Sequence, residues 1–562
     1  MAYLVGKKQD GKTYYYLTES ARVNGKPRIV SQTYLGSAEE IAQRLSESGP
    51  GEPDRSRHLA FGDLAAVWGV LDRLGVARII DEVVGSRRAD AAASVGTYIA
   101  LAAANRVVDP TSKLGFCDWW ATTAGDRLVK MSSASLDHRR FWDAMDTLST
   151  GQLCEIERRI TARMVDTYEV DLTGLVLDMT NFATYIDSAN DRAPIAQRGK
   201  AKQKRTDLRL VGLGLVVSVD GGIPLVSHAY AGNRHDATQF KDVVAELVNR
   251  FGTFGHPQEG LTVVFDAGQC SQDNLELVAN GPLHFVASLP PSDHPDLMAI
   301  GRDRYTSVDP TRFVGLSALE TTKVIFGHER RIVVTFSESF SDKQTAGFAQ
   351  TLAKAHRQLD AVADRLARGK TRKTRDNVEA EIDKILGPRW LKRVLKVTLT
   401  GTTPAELRLT WHTDARAKTA LATELFGKRV IFTDRLDWPV ADIIAGYRSQ
   451  SHVEADFRQM KDPKVVSFSP MFHWTEQKIH VHVFYCVLAL TVARLMCRET
   501  QRAKMPMSVR ELLSTLAKIE ETVLLYQGER GRPRARRMLT EMDNAQTRLY
   551  NLFNLDVYAP KR

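Results

Sequence analysis

"LTGLVLDMT" (172–180) and "LTVVFDAG" (261–268) decide the fold. Each is a short apolar run that ends on an aspartate, Asp178 in the first and Asp266 in the second. Such runs, bounded by polar and glycine-containing segments, read as buried strands. If the two strands lie side by side and parallel, their ends coincide and both carboxylates reach one point. One aspartate at a strand end is a common turn residue and carries little; two in one sheet carry more. Between the two runs, "LRLVGLGLVVSVDGGIPLVSHAYAGN" (208–233) predicts two strands joined at Asp220-Gly221-Gly222, a hairpin signal. "ATQFKDVVAELVNRF" (237–251) has the spacing of an amphipathic helix. "SQDNLELVANG" (271–281) predicts a second helix with Ser271 at its cap, and "LHFVASLP" (283–290) a further strand. The order strand, strand, strand, helix, strand, helix, strand predicts a mixed α/β sheet with antiparallel strands leading.

Further along, "WPVADIIAGYRSQSHVEADFRQMK" (438–461) predicts a helix with Pro439 in its first turn. Tyr447, Glu454 and Lys461 are seven residues apart, close to two helical turns, so they share one face; Arg458 lies one turn beyond Glu454. A carboxylate ringed by cations and a phenol suits a metal ion and a polyanion together. A surface ion pair from Glu454 to Arg458 is the plainer alternative.

The chain has 562 residues, a formal net charge of +10 and a pI near 9.2. That length exceeds one compact core and predicts several domains. The positive balance favours a polyanionic partner, most simply nucleic acid. The five cysteines include no C-x-x-C pair, which argues against a zinc site or a disulfide framework and fits a reducing compartment. The N-terminus lacks the apolar core of a signal peptide. "VHVFYCVLALTVARLM" (481–496) is short for a membrane span and carries His482 and Arg494, so a buried core helix is expected and no membrane contact.

The remaining segments divide by period. "TYYYLTESARVNGKPRIVSQTYLG" (13–36) predicts a β-hairpin about Asn24-Gly25, either a structural decoration or a DNA-reading sheet that uses Arg22, Lys26 and Arg28. Residues 57–165 read as helical, with Ser149 capping one helix. Residues 291–435 read as a mostly β insertion with a charged helical section at 341–386. The expected domains are 1–56, 57–165, 166–290, 291–435, 436–505 and 506–562: a small β domain, a helical domain, a first core half, the insertion, a second core half, and a C-terminal region for dimerisation or DNA contact. In "AGNRHDATQF" (231–240), Asp236 reads as a helix cap, with Arg234 and His235 able to line a polyanion path. "RGKAKQKR" (198–205) offers Lys200, Lys202, Lys204 and Arg205 for phosphate contact. His473, His480 and His482 lack a fourth zinc ligand, so packing is expected for them.

Asp178, Asp266 and Glu454, on strand, strand and helix in that order, resemble the DDE triad of transposases with a ribonuclease-H-like fold. "YRSQSHVEADFRQMK" (447–461) resembles the Tyr-Arg-Glu-Lys signature of insertion-sequence transposases, with Tyr447, Glu454 and Lys461 in place. The signature's arginine position falls on Gln450, a departure for which Arg448 or Arg458 is a substitute. "LDMTNF" and "VVFDAGQCSQDNL" are similar to the regions around the family's first and second aspartates. The resemblance implies a multidomain α/β protein with a ribonuclease-H-like core interrupted by a β-rich insertion. It implies a transposase that cuts the terminal inverted repeats of an insertion sequence and joins their 3′-hydroxyls to target DNA. By the same resemblance Asp178, Asp266 and Glu454 hold two Mg²⁺ ions, with Mn²⁺ tolerated. Tyr447, Arg448, Gln450, Arg458 and Lys461 touch DNA, and one of Trp390, Trp411 and Trp438 stacks on a flipped base. A homodimer on paired double-stranded DNA ends and a bacterial cytoplasmic, nucleoid-associated location follow from it too. Two rivals stand beside this reading: a catalytically dead, transposase-derived DNA-binding protein, and a ribonuclease-H-like nuclease that cuts without joining.

Overall fold

A computed structural model describes residues 2–23, 26–47, 52–85, 92–187, 189–199, 207–253, 261–369, 372–526 and 534–561. The chain forms two compact units. One comprises Met1–Gly69, Cys117–Met131 and Arg510–Arg562; the other comprises Val70–Phe116 and Ser132–Val509. The expected helical domain, 57–165, is therefore divided between them.

The first unit holds two three-stranded antiparallel sheets. In one, Ala2–Gln9 pairs with Lys12–Val23, which pairs with Lys26–Ser37. The hairpin signal read on the sequence lies between the last two, although Asn24 and Gly25 themselves are outside the described residues. Lys7, Tyr16, Tyr34 and Tyr14 cluster on this sheet, with the Lys7 ammonium 4.8 Å from the Tyr16 ring centroid. In the other sheet, Glu520–Tyr526 lies between Arg55–Ala60 and Arg534–Leu539. Its Glu521 is fully buried and is neutralised by Arg127 and Arg537, as a buried carboxylate requires.

The second unit is built on one nine-stranded mixed sheet. Its strands are β1 (Gly174–Thr184), β2 (Arg209–Ser218), β3 (Pro224–Ala231), β4 (Thr262–Phe265), β5 (His284–Leu289), β6 (Thr306–Ser307), β7 (Leu316–Ile325), β8 (His328–Ser337) and β9 (Lys428–Thr433). Their spatial order is β6-β7-β8-β9-β5-β4-β1-β2-β3. β1, β2 and β3 are antiparallel neighbours, while β4 is parallel to both β1 and β5. The turn between β2 and β3 uses Gly221 and Gly222 at positive φ, 86° and 67°, as the Asp-Gly-Gly signal demands. The Asp220 carboxylate in that turn accepts from Arg498 Nε and Nη2 at 2.5–3.0 Å, and the same guanidinium caps the carbonyls of Tyr168 and Glu169.

Two expectations are corrected here. Asp178 does not end its strand: β1 runs on to Thr184, because β2 pairs with it along its full length as far as Thr184 and Arg209. Residues 291–435 are not a mostly β insertion. β6, β7, β8 and β9 extend the main sheet, β9 being hydrogen-bonded directly to β5, and only Leu395–Thr400 and Arg408–Thr413 form a separate two-stranded sheet. Helix outweighs strand in that segment; Glu338–Ala367 alone runs 30 residues.

Five helices matter below: α1 (Asp236–Thr253), α2 (Glu338–Ala367), α3 (Val440–Arg448), α4 (Gln450–Met460) and α5 (Glu476–Arg502). α5 is long and apolar enough to cross a membrane, but its most apolar window is 89% buried within the protein, so it is a core helix. The single helix read over 438–461 is two, broken at Ser449, and Pro439 is the residue before the first turn.

Candidate active site

The two aspartates come together through strand register. Gly174, Leu175 and Val176 of β1 lie opposite Thr262, Val263 and Val264 of β4. Carried two residues further, that register sets Asp178 opposite Asp266, on the same side of the sheet. β4 ends at Phe265 while β1 continues, so the carboxylates sit where one strand stops beside another that does not.

Gln269 joins them. Its side-chain oxygen accepts from the Asp266 backbone N–H at 3.0 Å, and its Nε2 donates to Asp178 Oδ1 at 3.3 Å. Gln269 is buried, at 3% exposure, so its amide is fixed by these bonds and not by solvent. The D-x-x-Q spacing is that of a capping box, and the Asp266 carboxylate closes it by accepting from the Gln269 N–H. Ser288, at the end of β5, donates its hydroxyl to Asp266 Oδ1 at 2.8 Å. The Cys270 thiol lies below, 3.7 Å from the Asp266 carbonyl, and burial together with Asp266 pushes its pKa up to about 12, so it stays protonated.

α3 and α4 supply the rest. Tyr447 is 7% exposed and its phenol reaches Asp266 Oδ1 at 3.5 Å. Burial holds that phenol above its ordinary range, with Asp266 adding to the effect and Ser288 opposing it. At the other end, Lys461 donates to Thr180 Oγ1 of β1 at 2.9 Å and stands 5.5 Å from the Phe182 ring. Tyr447 and Lys461 thus reach the two aspartate-bearing segments, and Glu454 lies midway between them in sequence. Glu454 is exposed and lines a cavity of about 420 Å³ with Tyr447, Arg448, Gln450 and Arg429. Asp266 lines a second cavity of about 290 Å³ with Ser288, Trp390, Lys428 and Arg429. Tyr447 and Arg429 border both.

Among the described residues no three His, Cys, Asp or Glu side chains are gathered as a ready-made metal site. Gln269 brings Asp178 and Asp266 into one hydrogen-bonded group, while Glu454 lines the adjoining cavity. The donor chemistry nevertheless fits a hard divalent cation: the available ligands are carboxylate oxygens, and Asp266 and Glu454 are exposed. Among the described residues no ion pair joins Glu454 to Arg458, so the surface-ladder alternative is not formed.

The other expected positions separate. Trp390 shares the cavity with Asp266; its Nε1 is buried without a partner and the Arg389 guanidinium lies 4.6 Å from its ring. Trp411 instead stacks on His356 at 4.6 Å, and Trp438 sits against Arg435 at 4.9 Å. Arg234 and His235 border a different, open cavity of about 530 Å³. Asp236 begins α1 and accepts from Tyr230 at 2.8 Å. Lys200, Lys202, Lys204 and Arg205 lie outside the described residues. His482 is buried, its Nε2 donating to the Phe468 carbonyl at 2.8 Å and its Nδ1 accepting from Tyr485 at 2.6 Å, which is packing and not metal ligation. Sequence reasoning missed Gln269, Ser288 and Arg429. Only Gln269 had a signal, its capping-box spacing.

The model of the transposase DDE domain family matches residues 171–491, more than half of the chain. This chain belongs to that family. The matched span of this DDE transposase contains β1 to β9, both aspartates and Glu454. No curated protein matches the chain. A solved structure described as the piggyBac transposase synaptic complex with hairpin DNA is similar at 9% identity and a TM-score of 0.35, over 83% of this chain and 82% of that one.

Proposed function

We propose that this DDE transposase binds the terminal inverted repeats of an insertion sequence, cuts its ends and joins their 3′-hydroxyls to target DNA. The observation that carries the reading is the Gln269 side chain, bonded both to Asp178 and to the Asp266 backbone, beside two parallel strands whose register places the aspartates opposite each other two residues past the last pair. The order β3-β2-β1-β4-β5, with β2 antiparallel to β1 and β4 parallel to it, supports a ribonuclease-H-like core. The Tyr447, Glu454 and Lys461 spacing supports the insertion-sequence group within the family.

In this reading Asp178, Asp266 and Glu454 would hold two Mg²⁺ ions, Glu454 from the adjoining cavity. Divalent ions held there would supply activation of the attacking hydroxyl and charge stabilisation at the leaving oxygen. The chain's own work is positional. Gln269 and Ser288 hold the aspartate pair, Tyr447 packs over Asp266, and Lys461 fixes the end of α4 against β1. Trp390 is the base-stacking residue of the three considered, because it alone lines the cavity of Asp266.

The test is a strand-transfer assay with Mg²⁺ on DNA carrying the element's ends, comparing the intact chain with Asp266→Asn. The expected result is cutting and joining by the intact chain, with both lost and end binding kept in the variant. Undiminished cutting by the variant rejects this choice of carboxylate. Cutting without joining supports the nuclease reading, and binding without cutting by the intact chain supports the inactive one.

A further inference from the structure

Two arginines enter the cavity of Glu454 from different elements: Arg429 from β9 and Arg448 from the end of α3. Both are exposed. Aromatic rings lie beside both: Arg429 is 4.7 Å from the Phe340 ring and 5.8 Å from that of Tyr447, and Arg448 is 4.8 Å from the Phe313 ring. Among the described residues neither is paired with a carboxylate, although Glu454 lines the same space. The two guanidinium groups also oppose each other: desolvation lowers the pKa of Arg448, and Arg429 lowers it further. Gln450 lines this cavity too, and its Nε2 is buried without a hydrogen-bond partner. Like charges share a wall here, beside an orphaned amide donor. Such a wall suits an anion besides Glu454, because a guanidinium presents its donors in a fork that matches phosphate oxygens.

We propose that Arg429 and Arg448, with the Gln450 amide, bind a backbone phosphodiester of DNA beside Glu454. Arg429 supplies from the sheet the charge that Gln450 does not carry on the helix. This places the phosphate against the wall that Glu454 and Tyr447 also line, and it deepens the DNA-cutting reading above, on which it rests. Aromatic rings lie against both guanidinium groups without neutralising their charge.

The experiment measures binding of the full chain to a duplex of arbitrary sequence, about 40 bp long, from about 50 to about 200 mM salt. EDTA is present, so no step depends on a divalent ion. Each lost phosphate contact lowers the slope of log K against log salt by about 0.9. The expected result is a slope shallower by about 0.9 for the double variant Arg429→Gln with Arg448→Gln, which empties the one phosphate site, and a smaller decrease for Arg429→Gln alone. Arg429→Lys should restore the slope, because the charge returns, while leaving the affinity weaker. Melting curves confirm that the variants fold; a variant that melts early is replaced by Arg448→Gln alone, for which a shallower slope is again expected. Slopes equal to that of the intact chain in the folded variants overturn the proposal. Glu454→Gln separates this from the catalytic reading: it should keep the intact slope and lose metal-dependent cutting. Loss of the slope in the arginine variants with no cutting by the intact chain keeps the phosphate site and removes the enzyme reading.

Discussion

Gln269 donates from Nε2 to Oδ1 of Asp178 at 3.3 Å, across 91 residues of chain. The same buried amide accepts from the backbone of Asp266, so one side chain sets the spacing of two carboxylates on neighbouring strands. Gln269→Leu should leave the strands in place and free the carboxylates to repel each other. Partners that orient metal ligands cost about 10- to 100-fold in metal affinity or activity when removed. The expected outcome is a Mn²⁺ affinity weakened by about that factor, measured by titration calorimetry without DNA. An unchanged affinity would mean that the amide only fills space.

Trp390 is set apart from Trp411 and Trp438 by its place beside Asp266. A base stacked on an aromatic ring contributes about 1–3 kcal/mol. Trp390→Ala should weaken binding to DNA with an unpaired base near the cleavage position by an amount in that range, while Trp411→Ala and Trp438→Ala should not. Fluorescence anisotropy on paired and unpaired substrates gives the comparison. Equal losses for all three tryptophans would remove the special role of Trp390.

Arg498 binds the Asp220 turn and two carbonyls at once, and it is 4% exposed. Removing a charged donor from a part-exposed carboxylate and two carbonyls costs about 1.5–3 kcal/mol. Arg498→Ala should therefore lower stability by about that amount, read by urea unfolding. A loss below about 1 kcal/mol would show that water replaces the guanidinium at the turn.

His473 and His482 are buried against Arg106 and Lys113, and burial holds both imidazoles well below their ordinary range, His473 at about 3. Their folded pKa values lie below the unfolded value of about 6.5. The unfolded chain therefore takes up protons first as pH falls, and the stability present above pH 6.5 or so is lost progressively toward pH 3 or so. The melting temperature should fall between about pH 7 and about pH 5, before most carboxylates titrate. His473→Asn should make that fall shallower; an identical fall in the variant would assign the acid sensitivity elsewhere.

Much of the core was legible because its signals are local. The apolar runs around Asp178 and Asp266, the Asp-Gly-Gly turn, the Ser149 and Ser271 caps and the buried helix α5 all depend on neighbours a few residues away. The seven-residue spacing of Tyr447, Glu454 and Lys461 was readable too. The break at Ser449 was not, and Tyr447 turns inward to Asp266 while Glu454 faces an open cavity.

The sequence by itself determined most strands and helices around the two aspartates, where those aspartates follow apolar runs, and that the chain carries excess positive charge. Tertiary structure alone decided that β9 pairs with β5, that Asp178 and Asp266 share a register, and that Arg429 meets Arg448 beside Glu454. The physical reason is that strand pairing satisfies backbone groups that are alike in every residue. Which distant strand satisfies them depends on competition across the whole sheet, and it leaves no mark in the local pattern of side chains.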